Sequence, residues 1–397
     1  MSQIPEIELS DPAVLADPFT AYGTAREAGP VARLVTPGFG TMWAVTRYDE
    51  AKALLTDPRF QLNERTYQRL DVPEHCMKYL RTMQSMDGSE HTRLRRLVSP
   101  SFTAGRAGEF RPRIERIVDT LLDDVAVQAK AGPVDLLATF TRPLPIDVIC
   151  ELVGIPDADR TAWRGYGAAV AAGNGAAFTE AVPAIIRDAI ATVDRRRNGP
   201  GADLLSELIG ISAEDQDRLS EDELVTLVWH LVLAGQVPTH LIANSVEILL
   251  NQPDQLAALR ADDALMPQAV EELTRWCGPQ LLTLPRYASE DLTFGCVSIH
   301  KGDAVTVALA AVNRDPRVFA DPDRLDLRRS ASQPAHLGYA HGPHFCLGAA
   351  LARVQTQVAL SGLLHRLPNL ALAEGGAHRV LDPGAWRLDR LTVTAND

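Results

Sequence analysis

Cys346 has the surroundings in this chain best suited to chemistry. The run from His336 to Arg353 reads HLGYAHGPHFCLGAALAR, a Gly- and Pro-containing loop (Gly338, Gly342, Pro343) that passes into a helical pattern near Leu347. A thiolate at a helix N-terminus is stabilised by the helix dipole and by free amide N–H groups. Gly342 and Gly348 let the backbone and a flat ligand approach closely. A cysteine so placed suits a soft metal such as haem iron. The other cysteines, Cys76, Cys150, Cys277 and Cys296, lie far apart and form no C-x-x-C pair. They do not make a zinc site, and each alone reads as a small buried hydrophobe.

Two further spacings bring charged groups together. In His91-Thr92-Arg93-Leu94-Arg95, His91 and Arg95 are i, i+4 on a helix and point one way. In Glu272-Leu273-Thr274-Arg275 the charges are i, i+3 and can pair. Either could be an ordinary surface feature, since an exposed ion pair contributes under about 1 kcal/mol.

The elements that must position these groups are mostly helical. Residues 112–129 and 182–197 show 3.6-residue periodicity. Short β-like runs occur at 41–46 and within 292–307, with turn signals at Gly295 and Lys301-Gly302-Asp303. The pattern is mainly α with a small β-sheet region. The clearest helix begins at Ser220, where Ser220 and Glu223 make a capping-box signature, and runs apolar to Leu250 before Pro253. It is interrupted at Ala234-Gly235-Gln236-Val237-Pro238. Proline inside a helix removes a donor and clashes with the preceding turn, so the break at the centre of a central helix marks a candidate site.

The 397 residues contain no linker or repeat, which favours one domain over 1–397. A net charge of −12 disfavours nucleic acid as a partner. The polar N-terminus lacks a signal-peptide pattern, and no stretch reaches the roughly 20 apolar residues of a membrane span. The expectation is a cytoplasmic protein with no membrane partner.

The segment around Cys346 resembles the haem-binding loop of the bacterial cytochromes P450, F-G-x-G-x-H-x-C-x-G. Gly342, His344, Cys346 and Gly348 match, whereas Tyr339-Ala340 stand for Phe-Gly. The resemblance extends to E-x-x-R (Glu272, Arg275), to H-T-R-L-R (His91 to Arg95), and to Ala311 to Phe319, AVNRDPRVF. It covers essentially the whole chain. It implies a cytochrome P450 fold, haem b, and Cys346 as proximal iron ligand. It further implies haem contacts from His91, Arg95, Arg286, His344, Tyr339 and Gly348, and a structural Glu272–Arg275 pair held by a third basic group at Arg324.

One departure matters. The family's broken central helix carries an acid and an alcohol that relay protons to iron-bound dioxygen. The matching positions here are Val237 and Pro238, and neither side chain can transfer a proton. Three readings follow. A water at the freed Ala234 carbonyl, or the substrate, supplies the path; Gln236, Thr239 or His240 substitutes; or the reaction is an oxidative coupling or ring closure.

By resemblance the pocket takes in Trp229, His230, Leu233, Ala234, Val237, Leu282, Thr283, Gln84 and Leu388, although Trp229 could equally be core and Gln84 a solvated loop residue. Gly165 to Gly175 reads as a mobile lid. A small natural-product intermediate, a polyketide or a cyclic peptide, is the expected substrate. With no reductase domain, electrons would come from ferredoxin and ferredoxin reductase, docking near Arg93, Arg96 and Arg353 on a monomer. The rival functions are a non-catalytic haem-binding relative and a peroxide-driven peroxygenase.

Overall fold

A computed structural model describes residues 4–36, 40–66, 71–171, 175–215, 218–295, 297–329 and 335–395. Cys296 and part of the expected lid, 172–174, lie outside the described residues. The fold is 58% helical with a small sheet region. The helices that matter for the site are α1 (Gly88–Val98), α2 (Ala104–Ala129), α3 (Pro143–Val153), α4 (Asp157–Ala171), α5 (Gly175–Asn198), α6 (Glu221–Ala234), α7 (Pro238–Leu250), α8 (Met266–Cys277) and α9 (Ala349–Arg366).

The two halves of the central rod, α6 and α7, are separated where the sequence places the break. The capping box at its start is complete: the Glu223 N–H donates to Ser220 Oγ, and the Ser220 N–H donates to Glu223 Oε2 at 3.0 Å. At the break the ladder tightens to i→i+3 bonds. The Val237 N–H reaches Ala234 O only at 3.5 Å, and the Thr239 N–H donates to Gln236 O at 2.9 Å. Gly235 is required there because a Cβ would lie 2.7–2.9 Å from the Ile149 side chain on α3. The rod packs against α3 and α5, while α9 packs against α2, α7 and α8.

Residues 221–250 are long and apolar enough to cross a membrane by length and composition, contrary to the sequence expectation. Their apolar window is nevertheless 67% buried inside the protein. A helix that is hydrophobic all round is what the core of a large protein requires.

The main sheet runs, edge to edge, through Glu6–Glu8, Val31–Thr36, Gly40–Val45, Ala304–Val307, Arg286–Ala288 and Phe60–Gln61. The expected strand at 41–46 and the set within 292–307 are present. The sheet matters to the site through Arg286, which pairs with Val305 and is buried.

Candidate functional site

The loop before α9 is held by its own backbone. The Cys346 N–H donates to Tyr339 O at 2.8 Å, and the Phe345 N–H donates to Gly342 O at 3.0 Å. Gly342 takes φ +74°, and a Cβ on it would meet Leu55 O at 2.9 Å, so glycine is needed twice over. Ala340 also adopts a left-handed φ, +59°, a conformation that costs an L-residue about 1–2 kcal/mol. This is one of the two positions where the sequence departs from the loop pattern, and the backbone has kept the glycine-like geometry.

Cys346 differs from the other described cysteines. Cys76, Cys150 and Cys277 are buried, whereas Cys346 is exposed. Burial pushes the Cys150 and Cys277 thiols up to about 12, which keeps them protonated. The Cys346 thiol is also raised by surrounding atoms, offset by a hydrogen bond from the Gly348 N–H and by the charges of Arg95 and Arg353.

A cluster of basic groups stands beside the loop. His91 and Arg95 share a face of α1, as their spacing predicts. An Arg95 guanidinium N–H donates to Phe345 O at 2.5 Å, next to the cysteine. The His91 and His344 rings stack with centroids 4.0 Å apart. His344 Nε2 lies 2.7 Å from Asp87 Oδ1. Among the described residues, buried Arg286 donates only a long 3.4 Å bond to Phe60 O, and burial holds it below its ordinary pKa. Burial, followed by the charges of His344 and Arg95, lowers the pKa of His91 to about 4.

Asp87 is the residue that sequence reasoning missed. It sits at the N-cap of α1 but makes no capping bond. Its carboxylate instead accepts from the Leu62 N–H at 2.6 Å and meets His344. Burial alone would raise its pKa, but His344 and the Leu62 N–H bring it below the ordinary value. The Asp-Gly pair before a helix signals a cap, yet nothing local signals a partner more than 250 residues away.

Tyr339 is buried, with the Arg353 guanidinium 4.5 Å from its ring centroid, and Arg353 in turn is bidentate to Glu271 at 2.6 and 2.9 Å. Arg93 pairs with Glu223 at 2.5 Å, fastening α1 to the start of the central helix, while Arg96 is exposed. The Glu272–Arg275 pair is deeply buried, each side chain 2% exposed, with bonds of 2.7 and 2.8 Å. Its third basic partner is Arg329, not Arg324. Arg329 Nε donates to both Glu272 oxygens at 3.0 and 3.1 Å. Arg324 is exposed and contributes only its carbonyl, to Arg275 and Arg329. A turn at Asp321, φ +46°, bends the chain so that the later arginine folds back under it. Arg275 also donates to Asn313 O, and Asn313 Oδ1 accepts the Leu337 N–H at 2.7 Å, which ties the pair to the start of the Cys346 loop.

Along the central helix the residues near the break point in different directions. Gln236 is buried, its Oε1 against α4 at Gly167, where Ile146 of α3 also packs. His240 feels Arg387, Arg142 and Asp382. Thr239 is buried. Ala234 and Val237, by contrast, are exposed, Val237 by 38%, although the helix before them is buried. Phe345, beside Cys346, is 39% exposed. Of the remaining expected pocket residues, Trp229, Leu233 and Leu388 are buried, and Trp229 Nε1 donates to Tyr79 O. Leu282 and Thr283 run beside Ala308 and Val307, the Thr283 hydroxyl accepting the Val307 N–H. Gln84 is half-buried. Among the described residues no group of three or more His, Cys, Asp or Glu side chains could hold a metal ion.

The sequence model of the Cytochrome P450 family matches residues 175–372. The chain is 41% identical to the Cytochrome P450 monooxygenase PikC of Streptomyces venezuelae, over 90% of this chain and 85% of that one. It is 42% identical to the Mycinamicin IV hydroxylase/epoxidase of Micromonospora griseorubida, over 88% of each. Among solved structures it resembles SgvP, described as a putative thioether synthase in griseoviridin tailoring, with a TM-score of 0.85, 38% identity, and coverage of 94% of this chain and 95% of that one.

Proposed function

The chain belongs to the cytochrome P450 family and is a haem b-dependent monooxygenase, and from that premise we propose that it oxidises a natural-product intermediate with Cys346 as the proximal thiolate ligand. The observation that carries the ligand assignment is the exposure of Cys346 in the loop before α9, while Cys76, Cys150 and Cys277 are buried.

The residues fit the group. Arg286, Arg95, His91 and His344 bring a surplus of donors to one place, faced by the single carboxylate of Asp87. Two guanidinium groups with imidazole donors beside them suit the propionates of a haem. The uncovered apolar surfaces, Ala234 and Val237 on one element and Phe345 on another, suit its two faces. When bound, the haem supplies dioxygen activation and electron acceptance.

The protein's own contribution is positional. The Gly348 N–H, Arg95 and Arg353 favour the ionised form of the cysteine. Arg95 and Arg286 neutralise carboxylates without deprotonating themselves. Tyr339, packed under Arg353, keeps water from the sulfur side. On the other side the usual acid and alcohol are replaced by Val237 and Pro238. Gln236 is packed against α4, and His240 lies among the charges of Arg387, Arg142 and Asp382. These placements favour a proton path through an ordered water or through a substrate group. The weakly bonded Ala234 carbonyl at the break retains a lone pair to hold such a water.

A second outcome, oxidative bond formation without oxygen insertion, is favoured by the missing acid–alcohol pair and by the similarity to SgvP. Bacterial relatives use redox partners and small-molecule substrates. Ferredoxin with its reductase is the donor we assign, with exposed Arg96 in the docking face of a monomeric, cytoplasmic, single-domain protein. The test is reconstitution with ferredoxin, ferredoxin reductase and a panel of polyketide and cyclic-peptide intermediates. Substrate-dependent reductant consumption with a product gaining one oxygen supports monooxygenation. A product lacking two hydrogens supports coupling, and consumption without product contradicts both.

A further inference from the structure

Arg95 and Arg353 both bring positive charge to Cys346, and the structure holds them differently. Arg95 donates to Phe345 O and has no carboxylate partner among the described residues. Arg353, in the second turn of α9, is bidentate to Glu271 of α8 at 2.6 and 2.9 Å. The same guanidinium lies 4.5 Å from the Tyr339 ring centroid, and Tyr339 O accepts the Cys346 N–H at 2.8 Å. One carboxylate on α8 thus fixes a cation against the cysteine loop.

Glu271 also meets the start of that loop. His336 Nδ1 accepts the Gly338 N–H at 3.0 Å, so the proton of the neutral ring sits on Nε2. Nε2 lies 3.3 Å from Glu271 Oε2. Gly338 is closely fitted there, since a Cβ on it would come within 2.9 Å of Thr274 Cγ2, one turn along α8. Burial would raise the pKa of Glu271, but His336 and Arg353 bring it to about 2, so it is an anion at neutral pH. The pair is open to water, with side chains 29% exposed at Arg353 and 40% at Glu271. Such a pair adds little to stability. Neighbouring Glu272, which is 2% exposed, is the carboxylate that compensates buried arginines. Glu271 is therefore spare for the fold and close to the sulfur.

We propose that Glu271 is a positioning residue that sets how readily the haem-loaded protein is reduced, by pinning Arg353 against the cysteine loop and offsetting its charge. The inference rests on the haem-thiolate reading. Taking up one electron from a ferredoxin-class donor makes the site one charge more negative, and no bond forms or breaks. A nearby cation favours that change and a nearby anion opposes it. With both side chains in place their effects largely cancel. Loss of Glu271 leaves Arg353 uncompensated, and loss of Arg353 leaves Glu271 uncompensated.

The test is spectroelectrochemical titration of the haem-loaded protein with dithionite and ferricyanide, for wild type, Glu271→Gln, Glu271→Asp, Arg353→Gln and the variant carrying both Gln substitutions. Glu271→Gln should favour reduction about threefold, a rise of roughly 28 mV at 59 mV per tenfold, as suits a charge screened by water. Arg353→Gln should disfavour reduction by a similar factor. Glu271→Asp, which keeps the charge, and the double variant, which removes both, should stay near wild type. Opposite shifts are the signature of charge, because loosened packing would admit water and move both single variants the same way. Thermal unfolding is the second readout. A lower Tm with unchanged potentials assigns Glu271 to packing and overturns the proposal, as do shifts of the same sign in the two single variants. Should Glu271→Gln fail to hold haem, Arg353→Gln decides, and an unchanged or raised potential there overturns it. Failure of the haem-thiolate reading shows separately, as a wild-type protein without a thiolate-type carbon monoxide spectrum.

Discussion

Asp87 Oδ1 stands 2.7 Å from His344 Nε2, and the His91 ring stacks on His344 with centroids 4.0 Å apart. One carboxylate from the cap of α1 thereby fixes an imidazole of the cysteine loop, two residues before Cys346. A hydrogen bond to a charged group contributes about 1.5–3 kcal/mol when partly buried. Asp87→Ala should therefore accelerate haem loss and lower stability by about 1–2 kcal/mol, since the carboxylate retains some exposure to water. Haem-transfer kinetics to an apo-acceptor and urea unfolding measure the two effects. Wild-type haem retention in the variant would mean that His344 is held by its loop alone.

Ala340 sits at φ +59°, where a side chain is strained and glycine is not. Ala340→Gly should raise stability by about 1 kcal/mol, read as a higher Tm. Gly342→Ala should do the reverse, because its Cβ would press on Leu55 O as well as strain the backbone. A lower Tm for Ala340→Gly would show that the methyl group packs usefully.

The buried pair gives a three-way comparison. Glu272→Ala strands Arg275 and Arg329 and should cost about 3–5 kcal/mol. Arg329→Ala should be clearly destabilising. Arg324→Ala, which removes an exposed side chain and leaves the useful carbonyl, should fall within about 0.5 kcal/mol of wild type. Equal losses at 324 and 329 would contradict the assignment.

His230 and His240 are both held near pKa 4, chiefly by burial, against an ordinary value of 6.5. The unfolded chain therefore takes up protons at these rings before the folded chain does. The stability they confer is complete above pH 6.5 and is lost as pH falls through about 4. Denaturant midpoints across that window should decline. The decline should be shallower in His230→Phe, and an identical slope would mean that His230 is protonated alike in both states.

The sequence made the motif-bearing parts legible because each is local. Ser220 and Glu223 lie one turn apart, His91 and Arg95 lie one turn apart, and the glycines around Cys346 announce a loop before a helix. Tertiary relations were not legible. Asp87 reads as a cap but is diverted to His344, and Arg324 loses its expected place to Arg329 because a turn at Asp321 reverses the chain. The uncovered face at Ala234 and Val237 was equally hidden, since apolar residues read the same in sequence whether they meet protein or line a hollow. Length and composition of residues 221–250 do not separate the central helix from a membrane span either; its burial does.

Cys346 is the proposed thiolate ligand of the haem iron. Its most direct test is the absorption spectrum of the reduced protein under carbon monoxide, for wild type, Cys346→Ser and Cys150→Ser. Wild type and Cys150→Ser should show a Soret band strongly red-shifted from that of a histidine-ligated haem, and Cys346→Ser alone should lose it. A histidine-type band in wild type, or equal loss in both variants, would contradict it.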